Sequence, residues 1–245
     1  FSEFVSTQFQ TIAFHTMGCK LNYSESSVLE SQLNEYGYKT VKFNDGADYF
    51  IINSCSVTNN ADKECRKIIR RAKRISPYSK IAVIGCYAQL KPEEIAQIDG
   101  VNLVLGTKDK FKLVQRLEEI KKTDSIQIFH EKINKNEQFF SSWSRGERTR
   151  SFLKVQDGCD YNCSFCTIPM ARGNSRNQTI EKTLSVARKA ADSQARELVL
   201  TGVNIGDFGK TSDETFLDLI YQLDKIDGID RIRISSIEPN LLSDE

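Results

Sequence analysis

The sequence predicts an α/β protein, in which an N-terminal doubly wound parallel-sheet domain is followed by the first half of a second βα domain. Two observations support this fold class. Short apolar runs rich in Ile and Val alternate with longer segments of helical periodicity. This alternation stops in a polar stretch at 123–150 and then starts again. The second part has about three predicted strands, which are too few to close a barrel.

Four buried strands are predicted in the first domain, each ending in turn residues. They span 11–16, 49–54, 80–85 and 101–106. Helices are predicted at roughly 23–36, 59–75, 91–98 and 108–122. Strands that alternate with helices along the chain form a parallel sheet, and this predicts helices on both faces of it.

The polar stretch at 123–150 contains one plausible strand, at 126–130, and no helical face. We interpret it as an extension of the first domain followed by a linker, which divides the chain into domains 1–140 and 141–245. In the second domain, strands are predicted at 151–156, 197–202 and 231–235, with helices at 178–193 and 213–223.

The composition indicates a soluble globular protein, with 39% hydrophobic and 27% charged residues in 245. No apolar run approaches the roughly 20 residues that a membrane span needs, so no membrane partner is expected. Without an export signal, the predicted location is cytoplasmic. The absence of an initiator Met suggests a chain cut from a longer one. Because the net charge is +1, a polyanionic partner would have to bind a local patch.

Three of the seven cysteines lie in the stretch FLKVQDGCDYNCSFCTIP at 152–169. Cys159, Cys163 and Cys166 have the spacing C-x3-C-x2-C. A disulfide framework is disfavoured by the odd cysteine count and by the predicted compartment. A cubane iron–sulfur cluster held by three thiolates would leave one iron open for chemistry, and the pattern favours this interpretation.

Zinc is the alternative metal for these three cysteines. A structural zinc site needs four ligands, and both histidines of the chain, His15 and His130, belong to the other predicted domain. Asp160 could complete such a set.

Three further cysteines follow predicted strands of the first domain. Cys19, Cys55 and Cys86 each lie in the loop that leaves a strand, and such loops meet at one edge of a parallel sheet. We therefore expect a second metal site there, again one ligand short. Cys65 lies in the middle of a predicted helix, and we assign it to the core.

The motif after the strand at 151–156 resembles that of the radical S-adenosylmethionine enzymes. Together with TMGCKLNYSESSVLESQL, INSCSVTNNADKECRKIIRRAKR and VIGCYAQ, it resembles the methylthiotransferases of that superfamily. GCKLN is most similar to the branch that modifies N6-threonylcarbamoyladenosine in tRNA, because Lys20 and Leu21 stand where other branches have Gln or Pro after the cysteine. The resemblance implies that the second domain is a radical-SAM (β/α) partial barrel.

The resemblance also implies the cofactors, two [4Fe–4S] clusters and S-adenosylmethionine. Cys159, Cys163 and Cys166 would be the catalytic cluster ligands, and Cys19, Cys55 and Cys86 would hold the second cluster. Phe165 would pack near the adenine of S-adenosylmethionine. ELVLTGVNIGDFG and RIRISSIEP resemble further barrel strands of the family. They place Thr201, Gly202, Ser235 and Glu238 at the cofactor.

The implied reaction is methylthiolation at C2 of adenosine 37 in the anticodon stem-loop of a tRNA. A 5′-deoxyadenosyl radical from S-adenosylmethionine would remove the C2 hydrogen, and the second cluster would deliver the sulfur. A reductase or flavodoxin-type electron donor and a sulfur donor are implied partners. The open alternatives are isopentenyladenosine or a ribosomal-protein side chain as acceptor, and a non-catalytic iron–sulfur electron-transfer protein.

Nucleic-acid contacts are predicted only locally. Lys63, Lys67, Arg70 and Arg74 recur at helical spacing and form a basic stripe, for which a solvated surface is the alternative. Arg145, Arg148 and Arg150 add charge at the linker. Arg172 and Arg176 could meet a carboxylate or phosphate. Compared with the family, this chain ends at Glu245 without the C-terminal RNA-binding domain, so we expect weaker tRNA binding or activity.

Overall fold

The structure, a computed structural model, describes residues 9–56, 58–133, 138–145, 149–210 and 212–241. They form a six-stranded parallel sheet, a three-stranded parallel sheet and one short antiparallel strand pair, all with helices packed around them. The predicted α/β fold class is confirmed.

The first sheet has the strand order β2-β1-β3-β4-β5-β6. Its strands are β1 (Thr11–Thr16), β2 (Lys39–Thr40), β3 (Tyr49–Ser54), β4 (Lys80–Gly85), β5 (Val101–Leu105) and β6 (Gln127–Phe129). The accompanying helices are α1 (Lys20–Glu35), α2 (Asn59–Ile75), α3 (Cys86–Leu90), α4 (Pro92–Ala96) and α5 (Leu113–Ile120). The chain places β2 on one side of β1 and then adds β3, β4, β5 and β6 in succession on the other side. Because the order of the strands reverses in this way, the connecting helices cover both faces of the sheet.

Alternation along β3 shows how the two faces are filled. Phe50 and Ile52 join the apolar core beneath α2, whereas Ile51 joins the core beneath α1 and α5. All six residues of β3 are buried, as expected for a central strand of a sheet covered on both sides. The strand therefore appears in the sequence as a continuous apolar run.

Most predicted elements of the first domain are confirmed, and two were wrong in detail. The helix predicted at 91–98 is shorter than expected and follows a separate helix, α3. Lys91, between the two, has φ −140°, because the ring of Pro92 disfavours helical geometry in the residue before it. The helix predicted at 108–122 begins as a 3₁₀ turn at Asp109–Lys112 and continues as α5.

The second sheet has the order β11-β10-β7. Its strands are β7 (Arg150–Lys154), β10 (Glu197–Thr201) and β11 (Arg231–Ile234), with α7 (Ile180–Asp192) and α8 (Phe216–Leu223) as its helices. The loop after β7 carries β8 (Gln156–Asp157), α6 (Ile168–Arg172) and β9 (Arg176–Asn177). None of these three short elements was predicted. They are held by tertiary contacts rather than by a local apolar pattern.

The two sheets share an interface that α1 and α3 dominate. Helix α1 packs against β7, and α3 packs against α6. The hydroxyls of Ser24 and Ser142 lie 2.9 Å apart inside this interface. As a result, the carboxyl ends of β1, β3, β4 and β7 all face the same region. In the described part of the chain, no helix is both long enough and apolar enough for a membrane span.

Candidate metal centre between the two sheets

The first trio of cysteines lies at the carboxyl edge of the six-stranded sheet. Cys19 precedes α1, Cys55 directly follows β3, and Cys86 is the first residue of α3. The loops approach closely, because a Cβ atom on Gly18 would lie 2.7 Å from the Cβ and 2.8 Å from the Sγ of Cys55. Burial raises the pKa of Cys86, and negative charge on Cys19 and Cys55 raises it further. The structure thus brings the three thiols together.

The second trio lies in the loop after β8. The backbone N–H of Cys159 donates to the carbonyl of Gly173 at 2.9 Å, and that of Cys166 donates to the carbonyl of Cys163 at 3.1 Å. Burial raises the pKa of Cys159, and Asp207, Cys166 and Cys163 add to this effect. These three thiols are also close enough to influence one another.

Gly158 makes the turn into this loop possible. Its φ is +72°, and a Cβ atom there would lie only 2.0 Å from the carbonyl oxygen of Asn174. Both the backbone conformation and the lack of space require glycine at this position. Its N–H donates to Oδ1 of Asp157 at 2.8 Å, which orients the residue before Cys159.

The two cysteine loops meet directly. The hydroxyl of Thr167, which follows Cys166, lies 3.5 Å from the carbonyl oxygen of Ser56, which follows Cys55. Close by, the hydroxyl of Thr107 donates to the carbonyl of Ala171 at 2.6 Å. The loops that carry the two trios therefore lie side by side at the interface between the sheets.

Asp160, considered as the fourth ligand of a zinc site, has partners elsewhere. Among the described residues, no three His, Cys, Asp or Glu side chains are arranged to hold a single metal ion. Asp160, the proposed fourth ligand, instead accepts from Asn174 and from the backbone of Ser175, and pairs with Lys210 at 3.0 Å. In a cubane cluster each cysteine binds a different iron atom, so the three sulfurs need not converge on one point. Two trios made only of cysteines therefore fit iron–sulfur clusters better than zinc.

Cys65 is a core residue, as predicted. It is fully buried in the apolar core beneath α2. Burial raises the pKa of its thiol to about 12, so the group stays protonated at neutral pH.

A buried group of five charged side chains lies at the interface, beside the cysteine loops. The carboxylate of Glu25 accepts from Lys110 at 2.6 Å and from Lys154 at 2.9 Å. Lys154 also pairs with Asp157 at 2.7 Å, and Arg172 contacts both carboxylates. Burial alone would raise the pKa of Glu25, but the charges of Arg172, Lys110 and Lys154 hold it well below its usual range. We call these five residues the interface charge cluster.

Sequence reasoning missed Glu25, Lys110, Lys154 and Asp157. One signal was available in α1, where Asn22, Ser24 and Glu25 lie among Leu21 and Leu29 on the buried face. Polar residues at buried helical positions indicate partners in another element. The sequence does not identify those partners, because they come from four other segments.

Comparison with known proteins shows which family this chain resembles. A threonylcarbamoyladenosine tRNA methylthiotransferase, MtaB, from Bacillus subtilis is 40% identical over 241 residues, covering 96% of this chain and 53% of the relative. The protein of the same name from Aquifex aeolicus is 38% identical and covers 92% and 56%, respectively. Residues 11–106 match the uncharacterized protein family UPF0004, and residues 153–245 match the radical SAM superfamily. Over nearly its whole length the chain is similar to the radical S-adenosylmethionine methylthiotransferases. It spans about half the length of the curated relatives it matches.

The cofactors expected from the sequence, [4Fe–4S] clusters and S-adenosylmethionine, are those of this methylthiotransferase family. Among solved structures, a radical S-adenosylmethionine methyltransferase, TsrM, from Kitasatospora setae matches with a TM-score of 0.55 and 12% identity. The match covers 80% of this chain and 48% of TsrM, and it supports the fold alone.

The residues predicted to bind S-adenosylmethionine lie in the cysteine loop and after β10 and β11. Phe165 is 89% exposed. The hydroxyl of Thr201 donates to the carbonyl of Val199 at 3.0 Å, and its carbonyl accepts from the N–H of Val155 at 2.9 Å. Gly202 directly follows it, after the end of β10. The cofactor roles of these residues stay predictions.

The remaining two predicted residues follow β11. The hydroxyl of Ser235 donates to the carbonyl of Leu200 at 2.7 Å. Glu238 is exposed, and its backbone N–H donates to Asn204 at 3.2 Å. Their contacts with S-adenosylmethionine also stay predictions.

Gln156 joins the cysteine loop to the loop after β10, and the sequence analysis did not single it out. Its side-chain amide donates to the carbonyl of Gly158 at 2.7 Å. Its Oε1 accepts from the backbone N–H groups of Val203 and Asn204, at 2.8 and 3.0 Å. One buried glutamine therefore fixes both loops that the family resemblance assigns to the cofactor.

Arg172 and Arg176 meet carboxylates of the chain itself. Arg172 is 1% exposed and bonds Glu25 and Asp157. Arg176 pairs with Asp157 at 3.1 Å and donates to two backbone carbonyls. A role for Arg172 in binding phosphate is therefore not supported.

The basic stripe of α2 is exposed along its length. Lys63, Lys67, Arg70 and Arg74 all face solvent, and the last three line an open cleft of about 670 Å³. Neighbouring arginines of the helix have other contacts, since Arg66 pairs with Glu94 at 2.5 Å. At the linker, Arg145 stacks on Trp143, and Arg148 lies outside the described residues.

Proposed function

We propose that this protein is a tRNA methylthiotransferase that adds a methylthio group to C2 of N6-threonylcarbamoyladenosine 37. The observation that carries the proposal is the meeting of two all-thiolate trios at one interface, where Thr167 beside one trio reaches Ser56 beside the other. A reaction that needs both a radical and a sulfur carrier requires two such centres close together. The MtaB relatives name the acceptor nucleoside.

In this proposal, Cys159, Cys163 and Cys166 hold the cluster that binds S-adenosylmethionine, and Cys19, Cys55 and Cys86 hold the second cluster. When bound, these groups supply radical hydrogen abstraction and a transferable sulfur. Each trio leaves one coordination position for a ligand other than a cysteine. The chain offers Cys65 as its one further thiol, and that thiol is protonated and buried elsewhere.

The residues of the chain position and shield this centre. Gln156 and Gly158 shape the loop that carries Cys159. Cys55 and Cys86 are buried, which protects bound metal from bulk water, whereas Cys19 and Cys163 are exposed on the side open to a substrate. Phe165, exposed in the same loop, would pack near the adenine of S-adenosylmethionine.

The substrate side of the proposal rests on local charge. The exposed cations of α2 offer phosphate contacts to the anticodon stem-loop. We further propose a reductase or flavodoxin-type electron donor, a separate sulfur donor and a cytoplasmic location, where tRNA is modified. The division into domains 1–140 and 141–245 belongs to the same proposal.

Nucleoside mass spectrometry of tRNA tests the proposed reaction. Cells that lack the full-length protein should lose the 2-methylthio group from N6-threonylcarbamoyladenosine and keep the unmodified precursor. An allele with Cys65→Ala should restore the product, and an allele with Cys159→Ala should not. If the 2-methylthio group persists in the deleted cells, the substrate assignment is wrong.

Isopentenyladenosine is the second candidate acceptor. A tRNA-2-methylthio-N(6)-dimethylallyladenosine synthase from Hydrogenobaculum is 30% identical to this chain, covering 94% of it and 54% of the synthase. The same mass spectra distinguish the two, because loss of the 2-methylthio group would then occur on isopentenyladenosine. If neither tRNA nucleoside changes, a ribosomal-protein acceptor or a non-catalytic electron-transfer role gains support.

A further inference from the structure

One guanidinium group lies between the two cysteine loops. Nη2 of Arg172 donates to Oδ1 of Asn22 at 2.7 Å, and both terminal nitrogens contact Glu25 at 3.2 Å. Nη1 also donates to Oδ1 of Asp157 at 2.9 Å. With its side chain 1% exposed, Arg172 is held entirely by groups of the protein.

On one side, these contacts lead to the loops of Cys19 and Cys55. The amide nitrogen of Asn22 donates to the carbonyl of Met17 at 2.8 Å and to that of Ser54 at 3.2 Å. Met17 lies two residues before Cys19, and Ser54 directly precedes Cys55. Asn22 therefore holds two of the three loops of the first trio, those of Cys19 and Cys55, while Arg172 holds Asn22.

On the other side, the contacts lead to the loop of Cys159. Asp157 accepts from Arg172 and, through the same oxygen, from the N–H of Gly158 at 2.8 Å. The residue after Arg172 completes the connection, because the carbonyl of Gly173 accepts from the N–H of Cys159 at 2.9 Å. Arg172 is thus connected by hydrogen bonds to the first trio's loops through Asn22, and to the loop of Cys159 through Asp157.

We infer that Arg172 is a positioning residue that fixes the placement of the two clusters relative to each other. Its planar fork bonds Asn22, Glu25 and Asp157 at once, which a lysine ammonium with its single nitrogen centre cannot reproduce. The guanidinium also supplies buried positive charge beside the first trio. Negative charge at Cys86 and Cys19 contributes to raising the pKa of Arg172, because these groups lie near it. This inference rests on the two-cluster assignment of the proposed function.

The test is EPR spectroscopy of the anaerobically reconstituted protein and its Arg172→Gln and Arg172→Lys variants, together with iron and sulfide analysis. Wild-type protein should show magnetic interaction between its two reduced clusters. Arg172→Gln should keep the iron content and lose that interaction. In addition, the midpoint potential of the cluster on Cys19, Cys55 and Cys86 should shift to a more negative value, because positive charge that favours reduction is lost. Arg172→Lys should keep the potential nearer to wild type while still weakening the interaction.

Arg196→Gln is the matched control, because Arg196 forms an exposed pair with Asp230, and it should leave both measurements unchanged. Asn22→Ala supplies the second variant, which keeps the charge of Arg172 and removes only its connection to Met17 and Ser54. It should weaken the interaction even if Arg172→Gln does not fold. Fully loaded variants with wild-type magnetic interaction would overturn the role of Arg172. A wild-type protein that binds no cluster would instead reject the proposed function itself, and the inference with it.

Discussion

The surroundings of each cysteine determine whether its thiol can ionise and bind metal. Cys65 is enclosed by apolar side chains, and its pKa of about 12 keeps a proton on sulfur. Cys86 is equally buried, but Arg172 and Lys110 lower the cost of a thiolate there. The same residue type is thus a core residue at one position and a candidate ligand at the other.

Cys159→Ala should therefore remove one of about two cubane clusters per reconstituted chain, since a two-thiolate set holds a cluster poorly. Cys65→Ala should keep both clusters and lower the free energy of unfolding by about 1 kcal/mol through the lost core contact. Iron and sulfide analysis with EPR measures the first effect, and urea denaturation measures the second. Equal cluster loss in both variants would contradict the ligand assignment.

Gly158→Ala should damage the same loop without touching a thiol. The added Cβ would lie 2.0 Å from the carbonyl of Asn174 at a φ of +72°, so the backbone before Cys159 has to move. We expect loss of the cluster on the second trio and retention of the one on the first. Gly228→Ala is the control, because its φ is +88° but no atom lies within 4 Å of the added Cβ. It should cost only about 1–2 kcal/mol of backbone strain and no cluster.

At the scale of elements, the parallel sheet determines where the first trio meets. Cys19, Cys55 and Cys86 are far apart in sequence but follow β1, β3 and β4, which are adjacent in the sheet. Helix α2 starts at this edge and runs away from it. Its basic stripe therefore leads from the metal centre along the outside of the molecule.

If this stripe contacts tRNA phosphates, replacing Lys67 and Arg70 by alanine should weaken tRNA binding. The slope of log affinity against log salt should fall by about 1–2, because two phosphate contacts are lost. Fluorescence anisotropy at several salt concentrations measures both quantities. Arg188 and Lys189, exposed on α7, provide the charge-matched control. An equal effect of both double variants would indicate bulk charge rather than a contact surface.

At the scale of the whole molecule, the interface charge cluster joins the two sheets through charge rather than apolar packing. Glu25 from α1 is fully buried and bonds Lys110 of the first unit, as well as Lys154 and Arg172 of the second. If one member of this buried group is removed, the remaining charged side chains stay buried without an opposite charge to balance them. The relative placement of the two trios therefore depends on this cluster.

Glu25→Gln should lower the free energy of unfolding at pH 7 by about 3–5 kcal/mol. The pKa of Glu25 is lowered in the folded state, so its contribution is complete above the unfolded value of 4.5 and is lost as the pH falls below that. Wild-type stability should consequently decline in acid more steeply than that of Glu25→Gln. Urea denaturation between pH 3 and 7, roughly the range over which carboxylates titrate, measures the difference. Asp230→Asn, in an exposed pair, should cost less than about 1 kcal/mol.

Long, strongly patterned elements and the cysteine spacing were accessible from the sequence alone. Strands β1, β3 and β4 and helix α2 lie where periodicity predicted them, because each buries a continuous run or face of its own residues. The short elements α6, β8 and β9 could not be predicted in this way, since their stability comes from contacts with distant segments.

The sequence by itself determined the fold class, the family resemblance and both sets of candidate ligands. These depend on local pattern, on the spacing of Cys159, Cys163 and Cys166 within one loop, and on the position of Cys19, Cys55 and Cys86 after strands of one parallel sheet. Only the tertiary structure decided that the two cysteine loops meet at Thr167 and Ser56, that Arg172 lies between them, and that its partners are Asn22, Glu25 and Asp157. The physical reason is that buried charges are satisfied by whichever groups the packing brings within hydrogen-bond distance. Here those groups come from segments about 150 residues apart, such as Asn22 and Arg172.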